Sequence, residues 1–184
     1  PTPVTAYLSV APKAAGFALL IRFFNSVFGT GQPLNGAAWE AIEGVPWQDI
    51  LMMLAAITMT VGNLIAIQQD NIKRLLAYSS IAHAGYILMA VPVLSQDGIY
   101  AVIFYIIVYL FMQLGAFFLV ILVSNRYDTE TIDDYSGIGW KSPYLGFFMA
   151  IFMFSLTGIP PTAGFIGKMY LFAALINGGS QFYW

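Results

Sequence analysis

Two lysines, Lys13 and Lys168, stand inside long apolar stretches of this sequence, where an ionisable group could take part in moving ions. A charged side chain at bilayer depth is costly, and such residues usually face protein or a water-filled cavity. Burial and neighbouring charges can tune a lysine to exchange protons near neutral pH. The alternative interpretation is that each lysine snorkels to an interface or forms a fixed ion pair.

Residues that disturb a helix accompany both lysines. Pro12 directly precedes Lys13 and removes a backbone hydrogen bond. The apolar segment around Lys168 is interrupted by a predicted helix break, whose residues are Gly158, Pro160, Pro161 and Gly164. Irregular backbone at membrane depth is tolerated only where protein or a water-filled cavity surrounds it. The combination favours ion handling over passive anchoring.

A polar stripe marks a third apolar segment. Ser79, His83 and Tyr86 share one face of a helix, and Ser80 flanks them. Histidine titrates near neutral pH, so a proton relay is one interpretation. An interhelical hydrogen bond that holds the bundle together is the other.

The following segment carries Tyr105, Tyr109 and Gln113 at a spacing of four residues. None of them titrates near pH 7, so packing is favoured over the ordering of water. Lys73 and Arg74 lie where a helix meets the aqueous phase, which indicates a role in fixing topology.

The composition is that of a polytopic membrane protein. Hydrophobic residues make up 59% of the 184 residues and charged residues 9%, whereas soluble domains carry roughly 25% charged residues. The chain has no cysteine and one histidine, which excludes a thiolate metal site or cluster and argues against haem. A net charge of -2 gives no electrostatic case for binding nucleic acid.

The apolar segments predict an all-α transmembrane bundle, because they are too long for strands and show no period-two alternation. The predicted spans are about 4–28, 50–68, 75–94, 99–124 and 144–176, the last one broken near 158–161. The basic residues Lys73, Arg74, Arg126 and Lys141 fall in the second and fourth loops, which are therefore expected on the cytoplasmic side.

Two runs carry a specific resemblance. They are Asn71-Ile-Lys-Arg-Leu-Leu-Ala-Tyr-Ser-Ser-Ile-Ala-His83 and Gly158-Ile-Pro-Pro-Thr-Ala-Gly-Phe-Ile-Gly-Lys168. Together with the Ala11-Pro-Lys13 stretch, they resemble the antiporter-like proton-translocating membrane subunits of respiratory complex I. The run from Tyr109 to Gln113 is similar to subunit N and its plastid and cyanobacterial relatives, not to the histidine-rich L type. The chain is expected to be an internal fragment of such a subunit.

The resemblance implies a fold of two inverted five-helix repeats, each with one discontinuous helix, as one membrane domain over residues 1–184. It assigns Lys13 to the central lysine of the family and Lys168 to the lysine of the second broken helix. Lys73 and His83 fall on polar positions that also serve proton transfer. The glutamate–lysine pair of the first half-channel is expected upstream of Pro1.

The function implied is proton pumping in an NADH:quinone oxidoreductase, as a translocase subunit without a redox centre of its own. NADH, FMN, iron–sulfur clusters and quinone are expected on partner subunits, and no metal or cofactor on this chain. Other membrane subunits and the lipid bilayer are the expected partners, with no nucleic acid. The expected location is the bacterial cytoplasmic (inner) membrane, with the thylakoid membrane as the alternative.

Three alternatives remain open on the same residues. One is a subunit of a multi-subunit sodium-type cation/proton antiporter, and another is a relative of membrane-bound hydrogenases. The third is an assembly scaffold whose buried lysines are only ion-paired. Since fold alone does not separate these activities, the choice depends on the partner proteins.

Overall fold

A computed structural model describes residues 2–28, 46–93 and 95–178. Leu94, at the end of the third predicted span, lies outside the described residues. Seven α-helices occur in the described ranges: α1 Thr2–Phe28, α2 Trp47–Ile67, α3 Ile72–Ala90, α4 Gln96–Tyr127, α5 Ile138–Lys141, α6 Pro143–Thr157 and α7 Ala163–Asn177. Single 3-10 turns lie at Val91–Val93 and Asp133–Tyr135. The predicted all-α fold class is confirmed.

Four helices in the described part of the chain are long and apolar enough to cross a membrane. These stretches are Thr2–Phe24, Trp47–Ile67, Ile72–Val93 and Gln96–Tyr127. The two shorter apolar helices, α6 and α7, have 15 residues each and follow one another across the predicted break. A helix of this length reaches only part of the way across a bilayer, since about 20 residues are needed for a full span.

Local signals in the sequence set several helix ends. The Asn71 side chain accepts hydrogen bonds from the backbone N–H groups of Lys73 and Arg74, at 2.9 and 3.3 Å, and so begins α3. The Ser95 hydroxyl accepts from Gly98 N–H at 2.9 Å and begins α4. α6 starts at a proline, whose missing N–H has no helical acceptor at that position in any case.

Helix α4 forms the centre of the bundle and packs against α1, α3, α6 and α7. Its side chains Tyr105, Met112, Gln113 and Phe117 are fully buried. α2 packs along α3, where Gly85 lets the backbone of α2 approach closely: a Cβ there would lie 2.9 Å from the backbone nitrogen of Met59.

Large apolar side chains cover the outer faces of the bundle. Leu19, Ile57 and Phe111 are exposed examples from three different helices. In a membrane this exposure carries no penalty, because lipid tails are as apolar as the side chains. Close packing and interhelical hydrogen bonds therefore have to hold the helices together.

At one end of the bundle, the α2–α3 junction is tied to the loop after α4. Asn71 pairs with Thr131 in an isolated bridge, and Ile132 N–H donates to the Asp70 carbonyl at 2.8 Å. The Lys73 ammonium forms an ion pair with the Glu130 carboxylate. The two loops that carry the basic residues therefore lie at the same end, which agrees with the orientation expected from their charges.

Two ionisable groups in this aqueous end region are perturbed. Hydrogen bonds from Lys73 and Asn71 lower the pKa of the Glu130 carboxyl below its ordinary value. Burial raises the pKa of Tyr135 to about 12, and the nearby Glu130 charge acts in the same direction. The exposed Glu130 side chain thus links this loop to α3 through its ion pair with Lys73.

Candidate functional site

The fifth apolar segment is broken between α6 and α7. α6 ends at Gly158, which has a φ of +84°, a left-handed conformation that glycine adopts without strain. The N–H groups of Gly158 and Ile159 both donate to the Phe154 carbonyl, at 3.0 and 3.1 Å. Pro160 and Pro161 lie exposed in the turn that follows. As a result, the last carbonyl oxygens of α6 have no N–H donor from a following helical turn.

Lys168 supplies the missing donors to that helix end. Its Nζ donates to the carbonyl oxygens of Leu156 and Thr157, at 3.0 and 2.9 Å. The ammonium therefore sits at the C-terminal end of α6, where the helix dipole favours a positive charge. It also lies 4.8 Å from the centroid of the Tyr86 ring, within range of a cation–π interaction.

Gly164 allows the two half-helices to touch. A Cβ at Gly164 would lie 1.8 Å from the backbone oxygen of Ser155, far closer than any two non-bonded atoms can approach. The Gly164 N–H donates to the Ser155 hydroxyl at 3.1 Å. The break is thus a close backbone contact that requires glycine at this position.

Lys13 reaches α3 from α1. Its Nζ donates to the carbonyl oxygen and the hydroxyl of Ser80, at 2.6 and 2.7 Å. The Ser80 hydroxyl in turn donates to the Ala77 carbonyl at 2.6 Å. α1 continues through Pro12 without a break, and the Lys13 side chain is half-buried.

His83 is buried on α3. It lies three residues after Ser80, the partner of Lys13, and on the wall of a cavity that Lys168 also lines. His83 Nδ1 shares a hydrogen bond of 2.6 Å with the Tyr105 hydroxyl. The Tyr109 ring packs on the imidazole with 5.2 Å between centroids.

The polar side chains of α4 face α3 in antiparallel order. Tyr105 meets His83, and one turn further on the Tyr109 ring packs against the same histidine. Another turn on, Gln113 Nε2 donates to the Leu76 carbonyl at 3.1 Å. The four-residue spacing in the sequence was the signal for this row, but it gave no indication that Tyr105 bonds His83.

A cavity of about 350 Å³ joins the histidine to the helix break. Its polar lining includes Ser79, His83, Tyr86 and Lys168, together with Asn63 of α2, which the sequence analysis did not select. The Ser79 hydroxyl is buried and bonds none of the described residues. A cavity of this size with several polar groups on its wall can hold water.

Lys73 lies away from this group, in its ion pair with Glu130 at the end of the bundle. Leu75, two residues further along α3, already lines the cavity.

A larger groove of about 620 Å³ lies between the outer faces of α4 and α7. Among the described residues its lining is mostly apolar and Asp97 is the only charged one, so the groove is a poor candidate for proton transfer.

A transmembrane bundle with a discontinuous helix, and with lysines on the broken helix and on a facing helix, defines an antiporter-like membrane protein. The family described as NADH:quinone oxidoreductase/Mrp antiporter, TM, matches residues 1–184, and the chain belongs to that family.

Three similar proteins illustrate the relationship. NADH-quinone oxidoreductase subunit N of Anaeromyxobacter sp. (strain Fw109-5) is 52% identical over 100% of this chain and 36% of its own length. A chain of respiratory complex I from Thermus thermophilus is 33% identical with a TM-score of 0.72, over 99% of this chain and 36% of that chain. A chain of the Mrp complex from Dietzia sp. DQ12-45-1b is 25% identical with a TM-score of 0.76, over 98% of this chain and 18% of that chain. The chain thus spans about a third of the length of the subunit N relative, at 36%.

Proposed function

We propose that this chain is the membrane segment of a proton-pumping subunit of an NADH:quinone oxidoreductase, of the subunit N type, and that Lys13, His83 and Lys168 carry protons through it. One observation carries this proposal: lysines from α1 and α7 both reach the neighbourhood of the same buried histidine of α3, Lys13 through its bond to Ser80 and Lys168 on the wall of the shared cavity. The similarity to subunit N over the whole chain supports the choice of complex.

The first step of the path runs from Lys13 to the neighbourhood of His83. The Lys13 ammonium donates to the Ser80 hydroxyl, which lies one helical turn from His83 on α3. A hydroxyl both accepts and donates, so Ser80 can pass a proton onward without a change of charge once its own O–H turns away from the Ala77 carbonyl. The Tyr109 ring packs on the imidazole and limits the approach of other groups to it.

The second step runs from His83 to Lys168 through the cavity. Ser79, Tyr86 and Lys168 line the same space as the histidine, and water in this space would complete the connection. The Tyr105 hydroxyl fixes the ring by holding Nδ1. Nε2 is then the nitrogen available to exchange a proton.

Charge repulsion would couple the three groups. Interacting sites titrate together, so a proton on one of them disfavours a proton on the others. Charging Lys13 would then help His83 and Lys168 to release their protons, and the reverse. Transfer along the row needs no large movement of a helix, only alternation of charge.

At the helix break, the strength of the bonds between Lys168 and the end of α6 would depend on whether Lys168 is charged. As an ammonium it binds the terminal carbonyls of α6 and interacts favourably with the helix dipole. A neutral amine loses the dipole interaction and binds the same carbonyls more weakly. Release of the proton would therefore loosen the contact between α7 and α6.

The role of Lys73 in proton transfer stays a prediction. Its ion pair with Glu130 lies in the aqueous end region, close in sequence to the cavity wall at Leu75. We place proton uptake from the cytoplasmic side in this region. Supporting polar roles are proposed for Ser79, Ser80, Tyr86, Tyr109 and Gln113.

Redox chemistry would take place on partner subunits that hold NADH, FMN, iron–sulfur clusters and quinone. Other membrane subunits would be the direct neighbours, in a bacterial cytoplasmic membrane.

The similarity to a chain of the Mrp complex favours a second candidate, a subunit of a cation/proton antiporter. Sodium-dependent exchange without quinone reduction would identify that activity.

Replacement of Lys168 by alanine in the full-length subunit tests the proposal. The assembled complex, reconstituted in proteoliposomes, should pump fewer protons per quinone reduced. Lys141→Ala is the matched control, because Lys141 is an exposed lysine outside the cluster. Native pumping by the Lys168→Ala complex would refute the role of this lysine.

A further inference from the structure

The two halves of the broken helix cap each other's free ends. Lys168 of α7 donates to the terminal carbonyls of α6, at Leu156 and Thr157. In the other direction, Ser155 of α6 accepts a hydrogen bond from the N–H of Gly164, near the start of α7. Each link joins the free backbone groups of one half-helix to a side chain of the other half.

Ser155 takes over a role that the residue before a helix usually performs. Thr162 stands at the N-cap of α7, but within the described residues its side chain makes no capping bond. Its hydroxyl donates backwards to the Ile159 carbonyl at 2.6 Å. An N-cap side chain normally accepts from the second or third N–H of the helix, and Gly164 is the second residue of α7.

Burial and a contact with α4 hold the Ser155 hydroxyl in position. Ser155 is 8% exposed, and its Oγ also lies 3.4 Å from the Met112 sulfur of α4, to which it donates. α4 also packs closely on α7: a Cβ at Gly167 would lie 2.7 Å from a ring carbon of Tyr105. α4 therefore supports both sides of the break.

We propose that Ser155 is a positioning residue for proton transfer at Lys168. Leu156 and Thr157, which accept from Lys168, directly follow Ser155 along the chain. The bond from Gly164 N–H to Ser155 fixes these acceptors relative to the start of α7, four residues before Lys168. When Lys168 releases its proton and its own link weakens, Ser155 keeps the two half-helices together, so that the same carbonyls are in place when the proton returns.

This inference rests on the proposed role of Lys168, but part of it can be measured without pumping. Ser155→Ala in the assembled complex removes the acceptor of the Gly164 N–H. Hydrogen–deuterium exchange of the first turn of α7 should then become faster. Thr60→Ala is the matched control, since within the described part of the chain the Thr60 hydroxyl bonds only its own helix, at the Ala56 carbonyl. Exchange at native rates in Ser155→Ala would overturn the capping role.

The positioning role is tested by proton pumping in the same preparation. Ser155→Ala should lower the pumping rate by roughly fivefold, the factor that corresponds to one ordinary hydrogen bond. The pH profile of pumping should shift in Ser155→Ala and match the native profile in Thr60→Ala. Faster exchange with a native pumping rate and pH profile would show that Ser155 only caps α7, and would overturn the proposal.

A separate result distinguishes failure of the underlying function. If Lys168→Ala pumps normally, the proton path is wrong, whatever the exchange measurement shows for Ser155. Should Ser155→Ala fail to assemble, Ser155→Cys keeps the size of the side chain and offers a much weaker acceptor. The same exchange and pumping results are expected for that variant, and native behaviour would contradict the proposal.

Discussion

Replacing Tyr105 by phenylalanine removes one oxygen atom from the buried centre of the protein. The ring stays and continues to fill the space against Gly167. The hydroxyl lies 2.6 Å from His83 Nδ1, and the ring of Tyr105 is fully buried. The variant therefore leaves a buried imidazole nitrogen without its partner while the packing is preserved.

The expected magnitude follows from this contact. A typical hydrogen bond contributes about 1 kcal/mol, and a buried group left unsatisfied costs about 1–3 kcal/mol. Since about 1.4 kcal/mol corresponds to a factor of ten, proton transfer through His83 should slow by roughly five- to a hundredfold. Tyr109→Phe should have a smaller effect, because the Tyr109 hydroxyl makes a longer bond, 3.4 Å to the Ser9 carbonyl.

The assay is proton pumping by the intact complex in proteoliposomes, measured together with quinone reduction. Tyr100→Phe serves as the control, because Tyr100 lies on the same helix but its side chain is 67% exposed. The predicted order of loss is Tyr105→Phe, then Tyr109→Phe, then Tyr100→Phe. Equal pumping by Tyr105→Phe and Tyr100→Phe would refute the role given to the hydrogen bond with His83.

Two further predictions concern stability. Gly164→Ala should lower the melting temperature of the complex, because its Cβ would meet the Ser155 oxygen at 1.8 Å and overpacking costs about 1–3 kcal/mol or more; Gly16→Ala, with nothing within 4 Å, should stay near native. The Glu130 pKa is lowered on folding, so its ion pair with Lys73 stabilises the fold above the ordinary pKa of 4.5 and is lost as pH falls through the lower folded value. Melting curves in this acidic range should depend less on pH in Glu130→Gln than in the native protein, and identical curves would argue against the ion pair.

The bundle could be predicted from the sequence because a membrane imposes strong rules. Long apolar runs have to be helices, since every backbone group needs an internal partner. The Gly158–Pro161 interruption likewise predicts a helix end, and the structure ends α6 at Gly158. α4 runs from Gln96 to Tyr127, three residues beyond the predicted 99–124 at each end, because Ser95 caps its start and Asp128 adopts a left-handed conformation at its end.

The partners within the site could not be predicted, because they depend on how separate helices pack. The bond between His83 and Tyr105 requires the antiparallel register of α3 and α4. The hydrogen bond between Gly164 and Ser155 spans the turn between α7 and α6. The residue pattern of neither helix predicts the path of that turn. Lys13 and Lys168 were recognisable as costly residues, but which groups satisfy them is a property of the tertiary structure.

Proton pumping by a His83→Gln complex tests the central claim most directly, because His83 lies one helical turn from Ser80, which binds Lys13, and lines the same cavity as Lys168. Glutamine keeps a polar side chain in the buried position but cannot carry a proton. The ratio of protons pumped to quinone reduced should fall clearly below the native ratio when the amount of assembled complex is equal. A native ratio in His83→Gln would contradict a path from Lys13 through His83 to Lys168.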